Sequence, residues 1–331
     1  MPTNQPVQLP IKYYSAVRSK KVDWLWYPYI PYGKITVVQG DPGDGKTTLV
    51  LNLAALLSNG TTIPMINQPI TKGKVLYQSA EDGVEDTLKP RLESAGADCS
   101  QIAFIDDSKH PLSLDSPYLE NAIIETKASM LVLDPLQAYL GEGGEMNRAE
   151  GIRPMLKKLT AVADRTKCAV IIIGHMNKAA GSKGLYRGLG SIDIAATARS
   201  VLLVGRIKSN PTIRVMTHLK SSLAKEGASI AFEIDESSGI RWIGEYDITA
   251  DELLTGTTVF DESNKVSSAE LLLRRLLSGG AIPCSHIYAA SDAENIGKRS
   301  VDTAKKNLGI KSHKRPDGWY WSLQEDDDEK G

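Results

Sequence analysis

Short apolar runs alternate with amphipathic segments through the first two thirds of the chain. Four runs of strand length are apolar almost throughout, and each ends in a polar or glycine-rich turn: KITVVQG, KVLYQ, ASMLVLD and CAVIIIG. Helical spacing follows the first run in TTLVLNLAALLSNG, and it recurs between residues 147 and 166. Strands that are apolar on both faces and alternate with helices predict an α/β fold with a mainly parallel central sheet.

The pattern changes after residue 200, where the apolar runs become shorter and alternate with polar positions. These runs are SVLLVGRI, TIRVMTHLK, IAFEIDE and IRWIGEY. Their period of two predicts antiparallel strands that close one edge of the sheet. Residues 255–266 are polar and lack a sustained period, so the first domain is predicted to cover residues 1–254 and the linker residues 255–266.

Residues 267–323 have a different layout. The segment SSAELLLRRLLSGG predicts a helix that begins at Ser267 or Ser268, and CSHIYAASDAENIG and KRSVDTAKKNLGI predict two shorter helices. The final segment KSHKRPDGWYWSL predicts a hairpin around a Pro-Asp-Gly turn. Three helices and a hairpin in this order predict a small winged helix-turn-helix domain. The acidic residues 324–331 predict a solvated tail.

Composition and charge narrow the class of protein. Of the 331 residues, 41% are hydrophobic and 24% are charged, which is typical of a globular protein with a sizeable core. The net charge of -1 gives no overall attraction to nucleic acid, and the three separated cysteines predict no structural zinc. No run reaches the about 18 apolar residues of a membrane span, and the amino terminus lacks a signal-peptide pattern. We therefore expect a cytoplasmic protein with no membrane partner.

The turn after the first strand carries the clearest chemical motif. Its pattern, Gly-x-x-x-x-Gly-Lys-Thr between a strand and a helix, is that of a P-loop. The glycines let backbone N–H groups surround a phosphate, Lys46 is expected to reach the β and γ oxygens, and the Thr47 hydroxyl is expected to bind Mg²⁺. The predicted nucleotide-binding residues are Gly40, Asp41, Pro42, Gly43, Asp44, Gly45, Lys46, Thr47 and Thr48.

Two carboxylates follow later strands. Asp134 ends MLVLD and is the candidate second ligand for Mg²⁺, with a turn-forming Asp-Pro pair as the alternative. Pro135 comes next and cannot polarise water. The layout resembles ATPases of the additional-strand class, in which the activating glutamate lies at the end of the strand that follows the P-loop helix. Glu81, in SAED after KVLYQ, is the candidate catalytic base; its alternatives are a surface acid or a helix cap, with Asp82 beside it.

His175 follows the strand AVIIIG, where a side chain can contact the γ-phosphate and report hydrolysis; the alternative is a structural histidine. The glycine-rich loop after it contains three basic residues that are candidates for contacting a DNA backbone, namely Lys178, Lys183 and Arg187. An ordinary solvated loop is the alternative.

The motifs GDPGDGKTT, SAED, LVLDP, GHMNK, RGLGSIDIAATARS and THLKSS occur in this order between residues 24 and 246. Together they resemble the plasmid RepA-type hexameric ATPases of the RecA/DnaB fold group. The resemblance implies a RecA-like P-loop NTPase core, ATP and Mg²⁺ as cofactors, self-association as a hexameric ring, and single-stranded DNA in its channel. It implies catalytic roles for Lys46, Glu81, Asp134 and His175.

The same resemblance makes Arg199, in GSIDIAATAR, the arginine finger that enters the neighbouring subunit's site, and it puts Lys220 of LKSS near that interface. A cation supplied by a neighbour can raise the rate by about 10³–10⁵. The alternative for Arg199 is a cation at a helix end, which stabilises by about 0.3–1 kcal/mol.

The segment from Ser267 to Leu323 departs from the simple plasmid helicases and resembles the winged-helix tails of phage and mobile-element ATPases. It has nine basic and five acidic residues, a net charge of +4. Duplex DNA is its expected ligand, with protein docking as the alternative. The candidate DNA contacts are Lys298, Arg299, Lys305, Lys306, Lys311, Lys314 and Arg315.

The sequence thus predicts a ring-forming, ATP-dependent motor ATPase that acts on DNA, specifically a RepA-like replicative helicase of a phage or mobile element. Three alternatives stay open. They are a non-unwinding RecA-like ATPase such as a recombinase, loader or defence component, a KaiC-like regulator, and an initiator or repressor whose DNA binding ATP controls.

Overall fold

The apolar runs that predict strands form the middle of a sheet in the first of two units, residues 1–250 and 251–331. The structure is a computed structural model. It describes residues 11–63, 70–140, 149–176, 192–235, 239–255, 259–294, 296–316 and 318–323. Among those residues, no helix is both long and apolar enough to cross a membrane.

The first unit is built on a nine-stranded sheet. Its strands are β3 (Ile35–Gly40), β4 (Lys74–Ser79), β5 (Ile102–Ala103), β6 (Ala128–Asp134), β7 (Ala169–His175), β8 (Ser200–Ile207), β9 (Asn210–Ser221), β10 (Ile230–Asp235) and β11 (Gly239–Glu245). They lie in the order β11-β10-β9-β8-β3-β7-β6-β4-β5. The strands from β8 to β5 are parallel, and β9, β10 and β11 extend the sheet with antiparallel pairs. The predicted strands on both sides of residue 200 are confirmed.

Helices cover both faces of this sheet. They are α1 (Lys46–Asn59), α2 (Lys89–Ser94), α3 (Pro117–Thr126), α4 (Ala149–Thr166) and α5 (Ile192–Thr197). Successive residues of a strand face opposite sides, so Val38 packs into the core beneath α1 while Val37 packs into the core beneath α3 and α4. The predicted α/β fold with a mainly parallel sheet, as in a RecA-like P-loop core, is therefore confirmed.

A small antiparallel pair precedes the main sheet. Strand β1 (Trp24–Trp26) pairs with β2 (Ile30–Pro31), and the Trp26 side chain is fully buried. Trp26 contacts Tyr29 and Trp242, with ring centroids 4.7 and 5.9 Å away. Trp26 and Tyr29 thus pack into the core on the side of the antiparallel edge.

The second unit contains four helices in the described residues, with α6 beginning at its boundary. They are α6 (Ala250–Thr255), α7 (Val259–Leu277), α8 (Cys284–Ala293) and α9 (Lys298–Asn307). A three-stranded sheet in the order β12-β14-β13 joins them, with β12 (Ile282–Pro283), β13 (Lys311–Arg315) and β14 (Gly318–Ser322). The core of this unit includes Leu273, Ile287, Val301 and Trp321.

The segment predicted as a linker, residues 255–266, is helical at Thr255 and from Val259 onward. Helix α7 begins at Val259, before the predicted cap at Ser267 or Ser268, and α6 extends to Thr255. A continuous helix satisfies its backbone hydrogen bonds internally, so its polar first turns need no apolar stripe once Leu272 and Leu273 anchor the later turns.

Candidate functional site

The P-loop lies at the carboxyl end of β3, the edge of the sheet where the parallel strands β4, β6 and β7 also end. Gly43 and Gly45 have φ values of 80° and 94°, which glycine adopts without strain. A Cβ atom at Gly40 would lie 2.0 Å from the carbonyl oxygen of Val204 on β8. Backbone conformation therefore requires two of the motif's glycines, and close strand packing requires the third.

Lys46 is held inside this loop. Its side chain is buried, and Nζ donates hydrogen bonds to the carbonyl oxygens of Gly40, at 3.0 Å, and Asp41, at 2.9 Å. Burial lowers the pKa of the Lys46 ammonium, and the nearby carboxylates of Asp44 and Asp134 oppose that change. The ammonium is thus desolvated beside the first turn of α1, whose free N–H groups attract an anion.

Asp134 and Thr47 form a pair of hard oxygen donors. The Thr47 hydroxyl donates to Asp134 Oδ2 at 2.9 Å, and the Tyr77 hydroxyl donates to the same atom at 3.2 Å. Burial raises the pKa of the Asp134 carboxyl, while the two hydrogen bonds oppose the rise. A buried carboxylate beside a hydroxyl at the phosphate cradle has the donor chemistry that Mg²⁺ prefers, so these residues fit the ion.

The strand register brings the other predicted residues to this edge. Ser79 lies opposite Asp134, and Gly40 lies opposite His175. Glu81, two residues past the end of β4, has its Oε2 3.6 Å from His175 Nε2, with about three fifths of its side chain exposed. Lys46, Asp134, Glu81 and His175 thus converge, as the sequence predicts.

Asp82, the alternative to Glu81, already has a cationic partner. Its Oδ2 accepts a hydrogen bond of 3.1 Å from Arg91 Nη1 on α2. By contrast, Glu81 is accessible to a water molecule. The geometry therefore favours Glu81 over Asp82 as the candidate base.

Arg199 and Lys220 do not lie with this group. The backbone N–H of Arg199 donates to the carbonyl oxygen of Ile35, the first residue of β3. Arg199 therefore lies at the amino end of this strand, whereas the P-loop lies at its carboxyl end. Lys220 Nζ donates to three carbonyl oxygens at the end of α5, those of Ala195, Ala196 and Ala198, at 2.8–3.1 Å. Within one chain, Lys220 ties β9 to the turn that carries Arg199.

The predicted DNA contacts Lys178, Lys183 and Arg187 lie outside the described residues. Those of the second unit are on α9 and β13, and three of their cations lie over aromatic rings: Lys298 over Tyr288 at 4.9 Å, Lys305 over Trp321 at 4.1 Å and Arg315 over Tyr320 at 4.4 Å. Arg299, Lys306, Lys311 and Lys314 are exposed. Aromatic packing orders part of this basic surface.

Sequence reasoning missed two arginines that contact the P-loop. Arg206, on β8, donates from Nη2 to the Gly43 carbonyl oxygen, and its Nε lies 3.3 Å from Asp44 Oδ1. Arg214, on β9, is its direct partner in the strand register. In the sequence, each arginine is only a basic residue at a polar position of an alternating strand. Strands with a solvent-exposed face show the same pattern, so it does not identify a functional residue.

Residues 5–181 match a protein-family model, AAA_25, described as an AAA domain. The match covers the P-loop, α1 and the strands that carry Glu81, Asp134 and His175.

Three of the curated relatives that this chain matches are DNA repair proteins named RadA. The DNA repair protein RadA of Halalkalibacterium halodurans is 27% identical over 62% of this chain and 40% of its own length. The RadA of Bacillus subtilis is 30% identical over 44% of this chain and 28% of its own length. The RadA of Streptococcus pyogenes is 22% identical over 68% of this chain and 45% of its own. The chain thus spans less than half the length of these relatives.

Among solved structures, a KaiC-like protein of Pyrococcus horikoshii aligns with 65% of this chain and 91% of its own, at 20% identity and a TM-score of 0.48.

Proposed function

The chain belongs to the AAA domain family AAA_25, and from that premise we propose that it is a motor ATPase that assembles with copies of itself and acts on DNA. Its ATPase activity, with ATP as substrate and Mg²⁺ as cofactor, follows from the family and from the P-loop geometry. The observation that carries the proposal is the convergence of Lys46, Thr47, Asp134, Glu81 and His175 at one edge of the sheet.

Each residue of this group has a distinct role in the proposed hydrolysis. Lys46 and the first N–H groups of α1 bind the phosphate chain, and Glu81 accepts the proton of the attacking water. Thr47 and Asp134 would hold Mg²⁺, which supplies positive charge to the β and γ phosphoryl oxygens. His175, 3.6 Å from Glu81, is placed to report whether the γ-phosphate is present.

The position of Arg199 supports completion of the site by a neighbouring subunit. Arg199 is bonded to the first residue of β3, whereas the P-loop begins at the last. At about 3.3 Å per residue, the six residues of β3 separate them by roughly 17 Å. We infer that Arg199 acts on the site of an adjacent copy, as the resemblance to ring ATPases implies, with a hexamer as the expected assembly and Lys220 as the brace that fixes the Arg199 turn.

The relatives' name, DNA repair protein RadA, supports DNA as the partner. Within this proposal, residues 267–323 form a winged-helix domain that contacts duplex DNA through α9 and β13. The loop from Lys178 to Arg187 contacts single-stranded DNA in a central channel. The specific hypothesis remains a RepA-like replicative helicase. Because the named relatives are repair proteins, a non-unwinding RecA-like ATPase is the second candidate.

The decisive experiment compares ATP hydrolysis with and without single-stranded DNA, alongside strand separation of a forked duplex. Glu81→Gln is expected to slow hydrolysis by about 10²–10⁴-fold, the usual contribution of a general base, with ATP binding retained. Asp82→Asn is the matched control and is expected to retain most activity. Full hydrolysis by the Glu81 variant would exclude it as the base. Hydrolysis without strand separation would favour the second candidate.

Mixing variants tests whether two subunits share the site. Lys46→Ala and Arg199→Ala are each expected to be inactive alone, and the mixture is expected to recover activity at interfaces that combine an intact P-loop with an intact arginine. Random mixing at equal amounts produces about one quarter of interfaces of that kind in a head-to-tail assembly. In the control mixture, Arg165→Ala replaces Arg199→Ala and removes only the exposed ion pair of Arg165 with Glu120. No recovery would contradict a trans-acting Arg199.

A further inference from the structure

Arg206 and Arg214 lie side by side against the P-loop. The two residues are directly opposite each other on β8 and β9. A Cβ atom at Gly43 would meet Arg206 Nη2 at 2.9 Å, and one at Gly45 would meet Arg214 Cδ at 3.2 Å. The two arginine side chains thus fill the space that side chains at Gly43 and Gly45 would occupy. Both glycines lie in the P-loop, directly before α1.

Like charges directly opposite on neighbouring strands are destabilising, so this arrangement needs a negative counter-charge. Asp44 supplies one to Arg206 at 3.3 Å. Arg214 Nη1 donates a hydrogen bond of 2.7 Å to the Thr212 carbonyl oxygen, and Arg214 Nε is buried without a partner among the described residues. A buried guanidinium nitrogen that lacks an acceptor is costly, and a bound anion would satisfy it.

The nearest other carboxylate does not remove this excess of positive charge. Glu233, on β10, is bonded to Arg241 on β11 and therefore already has a cationic partner. Burial lowers the pKa of Arg214, and the charge of Arg206 contributes to that change, while Asp44 and Glu233 oppose it. Within this group of five side chains, the three arginines exceed the two carboxylates by one positive charge.

Space for a ligand adjoins Arg214. A cavity of about 490 Å³ is lined by Arg214, Thr212, Pro211, Glu233 and Ile234. Ile234 in turn reaches the P-loop, since a Cβ atom at Gly45 would lie 2.9 Å from its Cδ1. Two residues that line the cavity, Ile234 and Arg214, thus also pack against Gly45, the residue that precedes α1.

We propose that Arg214 contacts the phosphate chain of the nucleotide bound in the P-loop of its own chain. The planar guanidinium suits paired phosphate oxygens, and the anion would supply the acceptor that Nε lacks. This assignment adds a cis-acting cation to the site, distinct from Lys46, and it rests on the ATP binding proposed above.

The test measures binding of ATP and of inorganic tripolyphosphate, which carries the phosphate chain without base or sugar, by calorimetry of the full chain. Arg214→Met keeps a long stem against Gly45 and removes the charge. It is expected to weaken both ligands by about 10-fold to 100-fold, the range of a charge-assisted hydrogen bond. Arg214→Lys is expected to recover part of the loss. Arg165→Met, at the opposite edge of the sheet, is the matched control and is expected to bind as wild type does.

The outcomes separate this assignment from the function it rests on. Wild-type affinity in Arg214→Met would show that the residue only packs on the loop, and weakened ATP with unchanged tripolyphosphate would move the contact to the base or sugar; either overturns the assignment. If wild type bound no ATP, the ATPase function itself would fail. If Arg214→Met does not fold, the Arg214→Lys variant provides the test. A tripolyphosphate affinity of Arg214→Lys below that of wild type supports the contact. An affinity and a salt dependence equal to those of wild type overturn it.

Discussion

His218 makes the stability of the first unit depend on pH. The side chain lies on β9 and is 4% exposed, its ring stacks on Tyr29 with centroids 5.0 Å apart, and its Nδ1 accepts a hydrogen bond of 3.0 Å from the Gly227 N–H. Burial lowers the pKa of His218 from 6.5 to about 4. The fold therefore holds the neutral ring, whereas the unfolded chain binds a proton near pH 6.5.

The sign and size of the effect follow from these two pKa values. The folded pKa is the lower one, so the stability is full above pH 6.5 and is lost as the pH falls towards 4. The two pKa values of His218 differ by about 2.5, and each unit corresponds to 1.36 kcal/mol, so the free energy of unfolding can fall by at most about 3 kcal/mol. At pH 5 it has fallen by about 2 kcal/mol.

Urea unfolding at pH 8 and pH 5, for wild type and His218→Asn, measures this loss. Asparagine keeps an acceptor for the Gly227 N–H and does not titrate, so its lost packing lowers stability equally at both pH values. The variant is expected to show a smaller fall in unfolding free energy between pH 8 and 5, by about 2 kcal/mol, in the transition of the first unit. His110→Asn, at an exposed histidine, should leave the fall unchanged. Equal falls in wild type and His218→Asn would refute the reasoning.

Three further results are expected. Gly40→Ala should abolish ATP binding and lower the unfolding midpoint in calorimetry, because its Cβ would lie 2.0 Å from the Val204 carbonyl oxygen; wild-type binding would contradict that packing. Thr47→Val removes the hydroxyl that donates to Asp134 and should raise the Mg²⁺ concentration for half-maximal hydrolysis by at least about 10-fold, and an unchanged value would remove Thr47 from the metal site. Cys168, whose pKa burial raises to about 12, should resist a thiolate-selective reagent in the folded protein and react after unfolding, so rapid native labelling would show that its environment opens.

The sequence predicts the α/β core and the P-loop side of the site because both depend on local patterns. Continuous apolar strands require cover on two faces, and the P-loop motif fixes its own turn. Once the strands are parallel, their carboxyl ends share an edge, which brings Glu81, Asp134 and His175 together without knowledge of any contact.

Other features depend on distant pairing and are invisible in local patterns. Arg206 and Arg214 reach the P-loop only because β8 pairs with both β3 and β9. The start of α7 at Val259 lies in a polar segment whose sequence has no helical period, so the local pattern does not predict it. The distance between Arg199 and the P-loop follows from the register of β8 against β3, which the motif order does not specify.

Strand β3 links the turn that carries Arg199 to the P-loop within one chain. It is in register with β7 and β8 on both sides, and it joins the Arg199 contact at Ile35 to the loop contact at Gly40. An inserted or deleted residue would lose one contact or the other and reverse the faces of Val37 and Val38. The six residues of β3 thus set a fixed distance within one chain between the turn that carries Arg199 and the P-loop.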